Sequence, residues 1–198
     1  MIDLTGMDVL MVIASGDFRD EEYREPAQAL AHVMAGVVVA SSSKNDSVGM
    51  FGLHVTPDLL LSEVDVSKYA AVVFIGGSGA SEYFNDPAAH KIARDAAGQG
   101  KLVCAICIAP STLANAGLLK GKKATCFPAE KDNLVAKGAK FVNKGVVRDG
   151  KIITADGPNN AAGFARAICE ALAEEQPEEE RPDAGAREKW PNERPDGP

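Results

Sequence analysis

Residues 102–116 read LVCAICIAPSTLANA, and their order decides the fold. Positions 102–106 form an uninterrupted apolar run of strand length, and 108–116 read as a helix that Gly117 closes. Cys107 stands at the junction, with no loop residues on either side. So tight a strand–turn–helix needs small side chains two residues either side of its apex, and Ala105 and Ala109 supply them. This is the pattern of a nucleophile elbow, with sulfur in place of a serine oxygen. A strand that is apolar at every position is buried on both faces, as in a parallel sheet covered by helices.

The same alternation continues in both directions. Apolar runs at 7–14 and 69–75 and the Val37-Val38-Val39 stretch predict further core strands, and 123–127 is strand-like. Helices are predicted over 22–35, ended by Gly36, over 87–97, with Asp86 as cap and Pro87 in the first turn, and over 159–173. Residues 48–56 suggest a small hairpin, and Asp149-Gly150 marks a tight turn between two short strands. Strands alternating with helices predict an α/β sandwich with a mainly parallel sheet. One domain is expected over residues 1–173, followed by an acidic, proline-rich extension over 174–198 that is expected to be solvated and disordered, with Trp190 as its one candidate for a local anchor.

The net charge of −7 over 198 residues is unevenly spread. Residues 174–198 hold nine acids against four bases, which leaves the first 173 residues at −2. Without a basic stripe, nucleic acid is not an expected partner. No apolar run reaches the ~18 residues of a membrane helix, and the first six residues are too short and too acidic for a signal peptide. No membrane partner and a cytoplasmic location are the expectations. Four cysteines in a chain of this length do not make a disulfide scaffold.

Cys107 lies over the amino end of a helix, where positive peptide dipoles favour thiolate, so its thiol is expected to ionise below the ~8.5 of a free cysteine. Cys104 completes a CxxC pair but sits inside the buried strand, and no second pair exists, so no metal and no cofactor is expected. All three histidines, His32, His54 and His90, precede Cys107, which excludes every arrangement whose histidine follows the nucleophile. His32 and His90 are expected to face solvent. The partner left for the thiol is a carboxylate from Asp20, Glu21, Glu22 or Glu25 at the same rim of the sheet. Inside the crevice such a group would lose solvation and tend to keep its proton. Gly76-Gly77, ending another core strand, would aim backbone N–H groups at a developing oxyanion.

These pieces resemble the ThiJ/PfpI superfamily of DJ-1-like proteins, which share a class I glutamine amidotransferase-like fold. The resemblance rests on DEEYREP at 20–26, VVFIGGSGA at 72–80, AICIAPSTLANAGLLKGKKATCFP at 105–128 and GKIITADGP at 150–158. It implies a flavodoxin-like three-layer sandwich, a reactive cysteine at Cys107 and a glutamate at Glu22, four residues before Pro26. It further implies backbone donors at Gly76, Gly77 and Ile108, and a homodimer or larger homo-oligomer. Two departures stand out. Protease-like members carry histidine directly after the cysteine, where this chain has Ile108; DJ-1-like members carry one before a later proline, where it has Phe127 before Pro128. The expected function is a Cys/Glu enzyme acting on small dicarbonyls or their adducts, of glyoxalase or deglycase type. The alternatives are an oxidative-stress thiol sensor or chaperone without turnover and, more weakly, an intracellular amidase or peptidase.

Overall fold

The central strands are almost wholly apolar because each is covered twice. In the computed structural model, which describes residues 2–176, the strands are β1 (Asp8–Val12), β2 (Gly36–Ser41), β3 (Ser47–Val48), β4 (His54–Val55), β5 (Leu59–Leu60), β6 (Ala71–Phe74), β7 (Leu102–Ile106), β8 (Lys123–Ala124), β9 (Lys140–Phe141), β10 (Val146–Asp149) and β11 (Ile152–Ala155). The helices are α1 (Asp20–His32), α2 (Pro87–Gly98), α3 (Pro110–Asn115), α4 (Lys131–Ala136) and α5 (Ala161–Glu174). Seven strands form one sheet in the order β10-β11-β7-β6-β1-β2-β5, parallel except for the β10–β11 hairpin. The expected α/β sandwich is therefore present. The acidic extension, Trp190 included, lies outside the described residues from 177 onward.

Side-chain alternation divides the core in two. Val9, Met11 and Ile13 of the first strand region join Leu30, Phe164 and Leu172 beneath α1 and α5. Leu10, Val12, Val72, Phe74 and Val103 join Ile92 and Leu113 beneath α2 and α3. Each such side chain removed from water contributes roughly 1.5–3 kcal/mol, which is why no polar residue interrupts these strands. The order of strands reverses between β1 and β6, and the crevice at their carboxyl ends is where this architecture holds ligands.

Three local expectations are corrected. The first helix runs from 20 to 32, not to 35, and Gly36 opens β2 instead of ending the helix. The left-handed turn that stops the helix falls on Met34, at φ 61°, where a side chain meets steric cost. The 123–127 strand is only two residues long, because Phe127 turns the chain into Pro128 and a short 3-10 turn. Finally, three residues, Cys107 to Ala109, separate β7 from α3.

Met34 is 57% exposed and therefore contributes little packing. Met34→Gly is expected to raise stability by roughly 1 kcal/mol, read as a higher urea midpoint at unchanged slope.

Candidate active site

The turn after β7 holds Cys107 at φ 64°, a left-handed conformation that a residue with a Cβ adopts only when its surroundings force it. The forces are visible on both sides. Cys107 N–H donates to the Ala155 carbonyl at 2.9 Å, and its own carbonyl accepts from Phe127 N–H at 2.7 Å. The strain turns the sulfur out of the strand and toward the crevice. It is 8% exposed, whereas Cys104, Cys126 and Cys169 are almost wholly enclosed.

Of the four candidate acids, one enters the crevice. Glu22, in the first turn of α1, has no solvent exposure and lies against the Cys107 thiol. Its Oε2 accepts from Gly76 N–H at 3.1 Å, and its Oε1 is buried with no nitrogen or oxygen donor. Asp20 turns the other way: its buried carboxyl accepts from Phe51 N–H at 2.9 Å and Leu53 N–H at 2.8 Å, clamping the β3–β4 loop beside the site. Glu21 pairs with Arg19 at 2.8 Å. Pro26 lacks the N–H that would bond the Glu22 carbonyl four residues back, so this turn of the helix carries one bond fewer.

The glycine pair divides its work. A Cβ on Gly76 would lie 2.5 Å from Glu22 Oε2, 2.6 Å from Cys107 Cβ and 2.8 Å from the Ile106 carbonyl oxygen, so only glycine lets acid and thiol meet. Its N–H serves Glu22, and the expectation that it faces an oxyanion is corrected on that ground. Gly77, at φ 99°, and Ile108 direct their N–H groups at the Cys107 sulfur. Any side chain on Gly77 would strike Arg19 N at 2.3 Å.

Burial pushes Glu22 up to about 7, against smaller opposing effects from the thiol and the Arg19 charge. The Cys107 thiol is pushed up to about 12, first by burial and then by charge on Glu22; the Gly77 and Ile108 N–H groups offset only part of this. The expectation of a low-pKa sulfur is therefore corrected. A six-residue α3 adds little dipole, and the carboxyl that was to donate a proton gives it up first. Glu22 is then about half ionised near pH 7, and the pair gains its first negative charge as pH rises through that value.

No imidazole joins them. His32 is exposed ten residues further along α1, about 15 Å away. His54 is exposed and bonded to Asp46 at 2.5 Å, and His90, half-buried instead of solvent-facing, meets the Phe84 carbonyl at 2.9 Å. A groove of about 500 Å³ between α1, β2 and β4 includes Tyr23, Leu53 and His54 but neither Cys107 nor Glu22. Arg19 was not singled out in the sequence. Its guanidinium lies 4.5 Å from the Phe51 ring centre and lowers Glu22, and no spacing rule identifies it.

A parallel α/β sheet with a strained cysteine elbow and a buried glutamate defines a class, and comparison with known proteins gives the family. Residues 7–171 match the model of the DJ-1/PfpI family. An uncharacterized protein of Methanocaldococcus jannaschii is 40% identical over 167 residues, 83% of this chain and 82% of that one. A Pyrococcus horikoshii protein named a deglycase is 31% identical over 166 residues, 84% and 99% of the two chains. The crystal structure of a ThiJ/PfpI domain protein from Brachyspira murdochii superposes with a TM-score of 0.84 at 30% identity, covering 87% of this chain and 99% of that one. The chain belongs to the DJ-1/PfpI family.

An acid whose folded-state pKa lies above its unfolded value opposes folding once it ionises. Between 4.5 and about 7 the unfolded chain has lost the Glu22 proton and the folded chain still holds it, so stability falls as pH rises through this window. Glu22→Gln abolishes this effect. It is expected to raise the unfolding free energy at pH 8 by roughly 3 kcal/mol and at pH 4 by much less, measured by urea denaturation at both pH values.

Proposed function

We propose that the protein is a cysteine/glutamate enzyme that converts small 2-oxoaldehydes, free or as adducts, into 2-hydroxy acids. The observation that carries this reading is the placement of the pair. The Glu22 carboxyl has no solvent exposure, is held by Gly76 N–H at 3.1 Å and lies against the Cys107 thiol, so a general base stands next to the nucleophile it must deprotonate. The name borne by the Pyrococcus horikoshii relative supports the same class.

The chemistry needs no outside oxidant. As Cys107 Sγ forms a bond to the aldehyde carbon, the thiol proton passes to Glu22. The carbonyl π pair becomes an alkoxide held by the Gly77 and Ile108 N–H groups, and protonated Glu22 neutralises it to a hemithioacetal. Glu22, again a carboxylate, removes the remaining hydrogen of that carbon as a proton to give an enediol and returns it to the neighbouring carbon, while the hydroxyl proton of the first carbon passes to the oxygen of the second. The aldehyde carbon is thereby oxidised and the ketone carbon reduced, which leaves a thioester of a 2-hydroxy acid. Water cleaves the thioester and restores the thiol. Adducts with thiols or amines reach the same hemithioacetal when Cys107 displaces the thiol or amine.

The sensor reading is weaker, because a thiol pushed up to about 12 offers little thiolate to peroxide. Peptidase chemistry is weaker still: an amide leaves far less readily than a thiol, and none of the three histidines stands beside Cys107 to assist Glu22 in the proton transfers.

Turnover of methylglyoxal to lactate, corrected for buffer catalysis, is the test. Cys107→Ser and Glu22→Gln are each expected to lose at least about 100-fold in kcat/KM. Wild-type kcat/KM should climb with pH through about 7, as Glu22 gains its charge. Glu22→Gln removes the charge that raises the thiol, so it should alkylate with iodoacetamide faster at pH 8 while turning over more slowly. Equal turnover in all three proteins would refute the reading.

A further inference from the structure

We propose that the site selects 2-oxoaldehydes bearing an uncharged apolar arm, aromatic above all, and that Phe127 is the residue that selects them; this rests on the function proposed above. Phe127 is tied to the nucleophile by its N–H, which donates to the Cys107 carbonyl at 2.7 Å. Its backbone, at φ −54° and ψ 139°, is held extended by Pro128. One ring edge rests over buried Gly157, where a Cβ would lie 3.8 Å from Phe127 Cδ2. Gly157 has no side chain to cover the ring, and 42% of the residue stays exposed. A large apolar side chain left open one hydrogen bond from a nucleophile is a platform for an arm of the substrate.

The next residue after the cysteine continues that surface. Ile108 is half-buried and packs against the core beneath α1 and α5. The charges around the elbow set the sign of what the platform accepts. Glu22 lies on one side. On the other, the carboxylates of Glu130 and Asp156 act on the Cys126 thiol, which burial first pushes up. Glu130 accepts from the Ser111 hydroxyl, and Asp156 from Asn160 Nδ2 at 2.8 Å, so both are fixed in place. These three carboxylates outnumber the one cation that acts on Glu22, Arg19, so an anionic arm is disfavoured where a neutral ring would meet Phe127.

The experiment compares kcat/KM for methylglyoxal, phenylglyoxal and 4-carboxyphenylglyoxal in the wild type, Phe127→Ala and Phe127→Leu. The expected wild-type result is phenylglyoxal above methylglyoxal by about tenfold, with the carboxylated ring well below phenylglyoxal. Phe127→Ala should cut the phenylglyoxal value by about tenfold, mainly through KM, and the methylglyoxal value by less than about twofold. Phe127→Leu, which keeps the apolar volume, should lie between them. If methylglyoxal is turned over but phenylglyoxal is not preferred, or Phe127→Ala lowers both equally, the proposal is overturned and the enzyme reading stands. If the wild type turns over none of the three, the enzyme reading fails and takes this one with it.

Discussion

A carboxyl and a thiol enclosed together cannot both be charged, because neither has water to solvate it and each repels the other's anion. Much of the local architecture follows from keeping them together. Gly76 leaves the space they share and gives Glu22 its one backbone donor. The left-handed Cys107 turns the sulfur toward that space, held by the hydrogen bond it donates to β11 on one side and the one it accepts from Phe127 on the other. Asp20 ties the 51–53 loop to the first turn of α1, which fastens the segment that presents Glu22. The folded state tolerates a buried acid of raised pKa and a strained backbone at one point, which is the usual mark of a working site.

Much of this arrangement was legible in the sequence, for reasons that can be named. Runs such as 69–75 and 102–106 are apolar at every position, and only strands covered on both faces require that. The elbow was readable because Ala105 and Ala109 bracket Cys107, and the acid because four carboxylates cluster just after the first core strand, at the same rim of the sheet. Which of the four acids turns inward was not a matter of spacing. Asp20 and Glu22 are both buried, and the resemblance to a family, not periodicity, separated them.

The thiol's acidity was misjudged because sequence shows a helix after the cysteine but not its length or the solvent it excludes. Six residues make a weak dipole, and desolvation outweighs two N–H groups. Met34 was missed for a different reason: a left-handed residue that is not glycine leaves no trace in composition. The departures at Ile108 and Phe127 have a structural counterpart. Phe127 is 42% exposed and Ile108 half-buried against the core, so neither position puts an imidazole beside Cys107.

The central claim is that Glu22, not Cys107, gives up the pair's first proton. Infrared difference spectroscopy across pH 5–9 follows both groups at once, through the carboxyl C=O band and the S–H stretch, with Glu22→Gln and Cys107→Ser assigning each. The account predicts a buried carboxyl band that titrates near 7 and an S–H band that persists through that transition. An S–H band that vanishes first, while the carboxyl keeps its proton, would contradict it.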